Sequence, residues 1–482
     1  MIDIRPVAHV MGILTAALGM LMLMPAALDW SLGNDTWKIM ASCAAITLLC
    51  GTLSAVATID SDPRGLTTRQ AFLLTVGTWA ILPLFGALPF YLAGLPGGWT
   101  HAFFEAMSGV TTTGTTVYTG LDEMARGLLL WRSILQWLGG LGIIIVALVF
   151  LPVMRVGGMQ YFKAEAFDTM GKVMPRALDI SSALLQTYLL LTAVAGVVYM
   201  ALGMNGFDAA NHAMTTIATG GFSTSDQSFG KFGTGAEYAG GVLMLLAGLP
   251  FIRYVQLVNG SLTPIYRDIQ VRAFLRWTVY AVGAVVAYRL VTSDAAPGDI
   301  LRESFFNVVS LFTGTGYGTA DVALWGDFPL LVVLVVGFIG ACTASTGCSL
   351  KVFRYLVLFE AIRARLFQLR HPNRVVQIRL GGRVVEDDVI RSVMVLFTVF
   401  IAGYITLAVL LTLTGLETRT ALTAAWTAIC NIGPAFGPEV GATGAVDGFP
   451  QAAKWLMILG MLLGRLELIA VLVLLLPRFW RG

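Results

Sequence analysis

Four short segments, each containing glycine, recur along this chain of 482 residues. Their glycines lie about one hundred residues apart, the spacing expected of a duplicated unit. Glycine reaches left-handed and mirror-β dihedrals cheaply, so the carbonyl groups of such a segment can face one axis. Four segments around that axis would replace the hydration shell of a large monovalent cation. We therefore predict a filter of backbone carbonyls, built from Thr112-Thr113-Gly114, Ala218-Thr219-Gly220, Gly314-Thr315-Gly316 and Asn431-Ile432-Gly433.

A stretch of about a dozen residues leads into each segment, which is too short to span hydrocarbon about 30 Å thick. Such stretches are typical of half-helices that enter the membrane from one side and stop. Their negative C-terminal ends would then point at the passing cation. The alternative is that the glycines mark close packing between helices. The four stretches are 101–113, 209–219, 303–315 and 421–432.

Aligning the segments on Gly114, Gly220, Gly316 and Gly433 brings further residues into register. Nine positions earlier, three repeats carry a polar residue and the fourth carries alanine. We predict that the three polar side chains brace the filter by hydrogen bonding to its backbone amides. They are Glu105, Asn211 and Asn307.

The composition places these segments in a membrane, because 57% hydrophobic and 12% charged residues cannot be buried in one soluble domain. We predict an all-α, multi-pass protein. The first window is long and is followed by many others, so we expect no cleaved signal peptide. The ten predicted spans are 7–28, 37–58, 70–94, 127–153, 183–203, 236–258, 271–292, 328–350, 388–414 and 451–476.

Lys and Arg concentrate in alternate loops, which predicts that both termini are cytoplasmic and that the filter faces outward. This asymmetry explains the net charge of +3 without a nucleic-acid partner. The basic stretch 363–383 has two interpretations: orientation with lipid contact, or docking of a cytosolic partner. The basic loops contain Arg64 and Arg69; Arg155, Lys163, Lys172 and Arg176; Arg267, Arg272 and Arg276; the cluster 351–391; and Arg478 and Arg481.

The segment 341–349 is a run of small and polar residues inside an otherwise apolar span. We predict that it breaks its helix, which is tolerated only where the backbone is buried or lines an aqueous path. The alternative is a small-residue face for helix packing. Its residues are Ala341, Cys342, Thr343, Ala344, Ser345, Thr346, Gly347, Cys348 and Ser349.

Arg465 lies in the last span, where an ionisable residue normally faces a cavity or a partner. A cation about 8 Å from a passing ion would repel it by roughly 2 kcal/mol at an effective dielectric of about 20. The alternative is a structural ion pair with Glu467, although residues two apart face different sides of a helix.

The sequence contains neither a paired-cysteine metal motif nor HExxH, GxSxG or a strand-linked GxGxxG. We therefore expect no enzyme activity and no nucleotide site in this chain. The membrane potential, about 2.3 kcal/mol per charge at 100 mV, would drive transport.

Three stretches carry a specific resemblance: 104–114, 131–142 with Trp131-Arg132-Ser133 and Gln136-Trp137-Leu138-Gly139-Gly140, and Gly464-Arg465-Leu466-Glu467. On these residues the chain resembles the Trk/Ktr/HKT superfamily of potassium transporters, in particular its bacterial TrkH/TrkG branch. The resemblance implies potassium as the substrate, held by the carbonyls of the four aligned glycines. In some plant members, serine at the first of these glycines accompanies sodium permeation, whereas this chain keeps all four.

The resemblance also implies an architecture of four repeats, each a helix, a pore half-helix with its filter, and a second helix. Residues 1–60 would add an N-terminal helix pair. The repeats would be 70–153, 183–258, 271–358 with an intramembrane loop at 341–350, and 388–482. The loop would obstruct the pore as a gate formed by 341–347, Lys351 and Arg465. Here Gly347-Cys348-Ser349 departs from the usual double glycine before Lys351.

Further implications concern partners and location. The resemblance implies a homodimer in the bacterial inner membrane, in contact with lipid, that docks on a cytosolic TrkA-type nucleotide-binding ring. The loops 155–182 and 360–390 are the candidate contacts. Coupling to protons or sodium stays open. The alternatives are a sodium-coupled Ktr-like transporter, a rocking carrier without a filter and an intramembrane enzyme.

Overall fold

The computed structural model describes residues 2–61, 66–146, 177–258, 260–374 and 376–481, with the backbone alone at 177–180. The predicted cationic positions Arg64, Arg155, Lys163, Lys172 and Arg176 lie outside these residues, as does most of the candidate loop 155–182. The described chain is almost entirely helical, in agreement with the predicted fold class.

The N-terminal helices are α1 (Arg5–Leu21), α2 (Leu23–Ser31) and α3 (Thr36–Ala57). α1 and α3 pack backbone against backbone at two glycines. A Cβ atom added at Gly12 would lie 2.6 Å from the amide nitrogen of Ala55, and one at Gly51 would collide with the backbone of Ala16. Small residues allow this approach where lipid offers no hydrophobic drive for association.

The remaining helices repeat one order four times: a long helix, a short helix, a glycine segment and a further helix. Among the described residues, this last helix is broken in the second, third and fourth sets. The first set is α4 (Thr68–Gly86), α5 (Leu88–Leu92), α6 (Gly98–Val110) and α7 (Arg126–Ile145). The second is α8 (Ala177–Ala201), α9 (Gly206–Ile217), α10 (Thr234–Ala247), α11 (Phe251–Val258) and α12 (Thr263–Arg267).

The third set is α13 (Ile269–Thr292), α14 (Pro297–Thr313), α15 (Asp327–Ile339) and α16 (Val352–Arg370). The fourth is α17 (Asp387–Thr412), α18 (Thr418–Cys430), α19 (Gln451–Arg465), α20 (Ile469–Leu475) and α21 (Pro477–Trp480). Short 3₁₀ turns at Leu121–Glu123, Ser228–Lys231 and Val322–Trp325 follow the first three glycine segments.

Local signals fix where the short helices α6, α9, α14 and α18 begin. Asn205 caps α9 by accepting a hydrogen bond from the Asp208 amide at 2.9 Å. Pro297 occupies the first position of α14, where its missing N–H has no cost. These helices lie innermost, and from Phe104 to Val110 every residue of α6 is buried. They therefore carry the glycine segments to the centre of the molecule.

Within the described ranges, seven helices are long and apolar enough to cross a membrane, and two bent pairs raise the number to nine. The ten predicted windows need three corrections. The windows 236–258 and 451–476 fall on helix pairs bent by 93° and 109°, and 328–350 begins with a helix of 13 residues. Pro250 lies in the first bend, and left-handed residues at Glu467 and Leu468 form the second. Hydropathy sums over such breaks, so the sequence predicted only the break inside 328–350, through its run of small and polar residues.

A two-stranded antiparallel hairpin is a small addition to the all-α prediction. β1 (Arg379–Leu380) pairs with β2 (Arg383–Val384) across Gly381 and Gly382, which both have positive φ. Consecutive glycines suit a two-residue hairpin turn because both central positions need φ above zero. The hairpin lies within the predicted partner-docking region 360–390.

Candidate functional site

The four glycine segments meet around one point. A Cβ atom added at Gly114 would overlap the carbonyl oxygen of Gly220 and lie 3.5 Å from Cα of Gly433. One added at Gly221 would overlap the carbonyl of Thr315, and one at Gly316 would lie 2.6 Å from the nitrogen of Gly433. The first segment thus contacts the second, the second contacts the third, the third contacts the fourth, and the fourth contacts the first. We call this closed arrangement of four segments the glycine ring.

One left-handed residue introduces each segment after its short helix: Thr112 (φ 52°), Thr219 (φ 49°), Gly314 (φ 82°) and Asn431 (φ 52°). The next amide then bonds back to the helix at 2.8 to 3.1 Å. These bonds run from Thr113 to Ser108, from Gly220 to Thr215, from Thr315 to Ser310 and from Ile432 to Thr427.

This pattern corrects the predicted alignment in the second segment by one residue. Gly220 corresponds to Thr113, and Gly221 corresponds to Gly114, Gly316 and Gly433. Ala218 ends α9 in a right-handed conformation, so the left-handed position falls on Thr219. Two consecutive glycines satisfy an alignment on glycine equally well, and only the backbone distinguishes them.

Glu105 and Asn307 hold the chain beyond their glycine segments. Glu105 accepts hydrogen bonds from the Thr116 hydroxyl at 2.9 Å and the Val117 amide at 3.0 Å. Asn307 donates to the Thr319 hydroxyl at 2.8 Å and accepts from the Thr319 amide at 3.2 Å. Both side chains thus tie a short helix to the extended chain that returns past it.

Asn211 forms no such bond to its returning chain among the described residues, and the register shift explains why. Asn211 donates to Phe207 in its own helix at 2.8 Å. His212 takes the bracing position instead, with Nε2 lying 3.1 Å from the Ser223 hydroxyl. Nδ1 faces the Asp208 carbonyl at 2.8 Å, so Nδ1 carries the proton and Nε2 accepts. In the fourth repeat, Thr423 bonds both the amide and the carbonyl of Phe436.

A second set of hydroxyls was not predicted, although it repeats six residues before each ring glycine. Three of them donate to the carbonyl of the residue that follows that glycine. These bonds run from Ser108 to Thr115 at 2.6 Å, from Ser310 to Tyr317 at 2.8 Å and from Thr427 to Pro434 at 2.9 Å. Thr215 holds the same place in the second repeat and contacts the Tyr317 hydroxyl. The corrected register would have revealed this period in the sequence.

Arg132 on α7 joins the first two repeats. Its Nε lies 2.7 Å from the Glu105 carboxylate, and both side chains are buried, at 1% and 0% exposure. Its Nη1 donates to the Ser223 carbonyl at 2.8 Å, and the guanidinium lies 4.2 Å from the centre of the Phe222 ring. A buried carboxylate needs such a partner. Arg132 lies in the stretch 131–142 that carries the family resemblance, but its partners depend on the fold.

On one side, the glycine ring opens into a cavity of about 670 Å³, lined by Asp226, Asp321 and Arg419 among others. Asp226 is already engaged by the amides of Gly120 and Leu121. Glu439 lies beside this cavity and caps the start of α18. Hydrogen bonds from the Thr420 hydroxyl and the Glu417 amide lower the pKa of Glu439 from its usual value.

On the other side, the backbone is non-helical from Gly340 to Lys351, as predicted for the segment 341–349. We call residues 340–351 the buried loop. Cys348 lies beneath the glycine ring, with its sulfur 3.7 Å from the Thr112 hydroxyl. A Cβ atom at Gly347 would lie 2.8 Å from the Thr313 carbonyl. The loop thus lies across the axis of the ring.

The break between α10 and α11 anchors the buried loop. The Cys342 amide donates to the Gly248 carbonyl at 3.0 Å, and the Phe251 amide donates to the Ala344 carbonyl at 2.9 Å. Two side-chain contacts support this attachment: Thr346 donates to the Ala247 carbonyl at 3.2 Å, and the Thr343 amide donates to Gln270 at 3.0 Å.

Ala341 and Ser345 complete the predicted gate segment. The Ala341 carbonyl accepts from the Val352 amide at 3.1 Å, where α16 begins. Ser345 donates to the Cys342 carbonyl at 2.7 Å inside the loop. Lys351 is 6% exposed, and its Nζ has no hydrogen-bond partner in the described part of the chain. The loop therefore ends on a buried cation.

Arg465 contacts this loop directly. Its Nη1 donates to the Cys348 sulfur, and its Nη2 donates to the Gly139 carbonyl at 3.1 Å. The alternative ion pair with Glu467 is absent from the described structure, because Glu467 instead contacts Arg354 at 2.5 Å. The bend after Arg465 turns Glu467 away. The geometry combines a ring of carbonyl-bearing backbone, a cavity on one side, and the buried loop with Lys351 and Arg465 on the other.

Comparison with known proteins adds an independent finding. The model of the TrkH family, described as a cation transport protein, matches residues 38–481. The chain is 37% identical over 479 residues to the Trk system potassium uptake protein TrkI of Halomonas elongata, covering 99% of this chain and 97% of that one. It is 36% identical over 427 residues to the Trk system potassium uptake protein TrkH of Escherichia coli K12, covering 86% and 87%. The crystal structure of the potassium transporter TrkH from Vibrio parahaemolyticus matches with a TM-score of 0.91 at 32% identity, over 100% of both chains.

Proposed function

We propose that this chain, which belongs to the TrkH family of cation transport proteins, is the potassium-translocating membrane subunit of a Trk-type uptake system. The observation that carries the proposal is the closed glycine ring at the ends of four short buried helices. Backbone carbonyls in such a ring replace the hydration shell of potassium. The negative ends of the four helices add a favourable potential at the same point.

The selecting residues follow the corrected register: 112–114, 219–221, 314–316 and 431–433. Gly114, Gly221, Gly316 and Gly433 form the rim that faces the cavity, which serves as the outer entrance. Ala218 ends its helix and is not part of the filter in this proposal. Glu105, His212, Asn307 and Thr423 hold the returning chain of each repeat.

The buried loop and Arg465 form the gate. The loop crosses the axis below the ring, and Arg465 and Lys351 place two cations where a potassium ion would pass. A passing cation is repelled until these groups move. The membrane potential, about 2.3 kcal/mol per charge at 100 mV, drives uptake, with protons or sodium as possible coupled ions.

The finer assignments of assembly belong to this proposal. The subunit forms a homodimer in the inner membrane with both termini cytoplasmic. A TrkA-type ring docks on the cytosolic face at 360–390, which includes the end of α16 and the β1–β2 hairpin. Because α16 begins where the buried loop ends, a partner on α16 can pull on the gate.

The test of the filter compares two substitutions of left-handed glycines. Gly114→Ser introduces a side chain against the Gly220 carbonyl, whereas Gly33→Ser has the same backbone constraint and no atom within 4 Å. Each protein is expressed in a bacterial strain that lacks its own potassium uptake, and purified protein is assayed for potassium, rubidium and sodium flux in liposomes. We expect the intact protein and Gly33→Ser to restore potassium-dependent growth, and Gly114→Ser to lose preference for potassium. No potassium or rubidium flux through the intact protein would refute the proposal.

The test of the gate uses Arg465→Ala. This change removes the contact with Cys348 and one pore cation, so we expect higher flux at low external potassium. Flux equal to that of the intact protein at every potassium concentration would contradict the gating role. Gln186→Ala, an exposed substitution on α8, controls for expression and reconstitution.

A further inference from the structure

Gln136 belongs to α7 of the first repeat, yet its side chain contacts the glycine segment of the second. Its Nε2 donates to the Gly220 carbonyl at 2.6 Å, and its Oε1 accepts from the Phe222 amide at 3.0 Å. The side chain is fully buried, at 0% exposure. A primary amide has both donors and acceptors, so one side chain satisfies two backbone groups on either side of Gly221.

The same contact explains why residue 220 is glycine. A Cβ atom at Gly220 would collide with the Gln136 amide. The backbone there does not require glycine, because its φ lies outside the left-handed region. Gly221 differs, since its φ is 79° and a Cβ atom would also overlap the Thr315 carbonyl. The two adjacent glycines therefore have different causes.

The equivalent positions in the other repeats carry their own side chains. The Thr113 hydroxyl lies 2.8 Å from that of Thr111, and the Thr315 hydroxyl lies 2.8 Å from that of Thr313. Ile432 is fully buried at this position in the fourth repeat. In the second repeat, Gln136 from a neighbouring helix occupies the corresponding place behind the filter.

We propose that Gln136 is a positioning residue for ion selection, which fixes the Gly220 carbonyl in the glycine ring. This inference rests on the proposed potassium filter. Two consecutive glycines give this segment more backbone freedom than its three counterparts. A carbonyl held by a hydrogen bond resists the inward movement that a smaller cation such as sodium requires. Gln136 thus supplies from outside the rigidity that a side chain on residue 220 would otherwise give.

The experiment is a double-mutant cycle with four proteins besides the intact one: Gln136→Ala, Gln136→Glu, Gly220→Thr and the pair Gln136→Ala with Gly220→Thr. Gln186→Ala is the matched control. Potassium, rubidium and sodium fluxes in liposomes give the selectivity ratio, and the melting temperature in detergent reports folding. Both are measured for every protein.

We expect Gln136→Ala to lower the potassium-to-sodium flux ratio about tenfold. An effect of this size corresponds to the loss of one hydrogen bond between uncharged groups. Gln136→Glu fills the same volume and still accepts from Phe222, but in its ionised form it has no proton to donate to Gly220. The ratio should therefore fall similarly when the flux is measured at a pH where this carboxyl is ionised. Gly220→Thr collides with Gln136 and lowers the melting temperature. In the double mutant, threonine takes the vacated space, as in the first and third repeats, and both quantities partly recover.

Unchanged selectivity in both Gln136→Ala and Gln136→Glu would overturn the inference. So would an equal loss of melting temperature from Gly220→Thr in the presence and absence of Gln136. These results are distinct from failure of the proposed function itself, which the intact protein would reveal by lacking potassium and rubidium flux. If Gln136→Ala folds poorly, Gln136→Glu still decides the role of the donated hydrogen bond.

Discussion

The glycine ring and the buried loop are both non-helical, buried and rich in small residues, yet they are held in different ways. In the ring, the amide after each left-handed residue bonds back to its short helix, and a side chain braces the returning chain. In the loop, Ala344, Ser349 and Lys351 are left-handed without being glycine. The Lys351 ammonium and the Thr343 hydroxyl are buried without a partner among the described residues.

Under the proposed function, this difference separates ion selection by the ring from control of flux by the loop. A left-handed residue other than glycine costs roughly 1–2 kcal/mol, and an unpaired buried ion costs several kcal/mol. The ring offsets its left-handed residues through four repeated sets of hydrogen bonds. The loop keeps the cost of its unpaired groups despite its bonds to the break between α10 and α11. Under the proposed function, this contrast allows a rigid filter and a movable gate to lie side by side.

The largest expected effect comes from breaking the buried pair beside the ring. Arg132→Met leaves the Glu105 carboxylate buried without its partner, and we expect a loss of about 3–5 kcal/mol in stability. The melting temperature in detergent measures the loss, and potassium flux should disappear with it. Lys38→Ala is the control, because the Lys38–Asp35 pair is exposed and screened by solvent, so its loss should leave stability almost unchanged. Equal melting temperatures for the two variants would contradict the account of the ring.

The same kind of change at the loop should have the opposite sign. Lys351→Met removes a buried cation that has no partner, so we expect stability to rise by about 1–4 kcal/mol. Flux should rise as well, since one cation leaves the pore. Melting temperature and rubidium uptake are measured together. A fall in melting temperature would mean that Lys351 has a stabilising partner in the native protein.

The register correction predicts unequal effects for two asparagines. Asn307→Leu leaves the amide and hydroxyl of Thr319 without partners and should cost about 1–3 kcal/mol. Asn211→Leu disturbs one hydrogen bond within its own helix and should leave the potassium-to-sodium ratio unchanged. Flux ratios for both variants, with His212→Leu as the corrected second-repeat substitution, decide between the two alignments. Equal loss of selectivity in Asn211→Leu and Asn307→Leu would favour the alignment in which Gly220 corresponds to Gly114.

The smallest effect concerns pH at the outer rim. Because the pKa of Glu439 is lowered in the folded protein, its contribution is present above the usual value of 4.5 and is lost as the pH falls through the folded pKa. We expect acidification to lower the melting temperature by less than about 1 °C, since the group is only partly buried and is screened by solvent. Glu439→Gln keeps the acceptor oxygen but cannot titrate, so its melting temperature should lack this component. If the melting temperatures of the two proteins depended on pH in the same way, the capping role of Glu439 would be contradicted.

Several features could be predicted from local sequence, because they depend on the residue types within one short stretch. Apolar windows indicated the membrane helices, short stretches before glycine indicated the half-helices, and Ala341 to Ser349 indicated a break. The family resemblance rested on residues that are local in sequence. The alignment of the second segment was wrong by one residue, because Gly220 and Gly221 are adjacent. The identity of a glycine does not show which of the two has a positive φ.

The partners of the buried polar groups could not be predicted from local sequence. Arg132 reaches Glu105 and Ser223, Gln136 reaches Gly220, and Glu467 reaches Arg354 instead of Arg465. Each contact joins segments far apart in the chain, so its distance depends on how the repeats pack. The sequence by itself determined that this protein crosses a membrane, repeats a glycine segment four times and interrupts one helix. Only the tertiary structure decided which glycine faces the ring and which side chains hold it, because hydrogen bonds depend on distances in space.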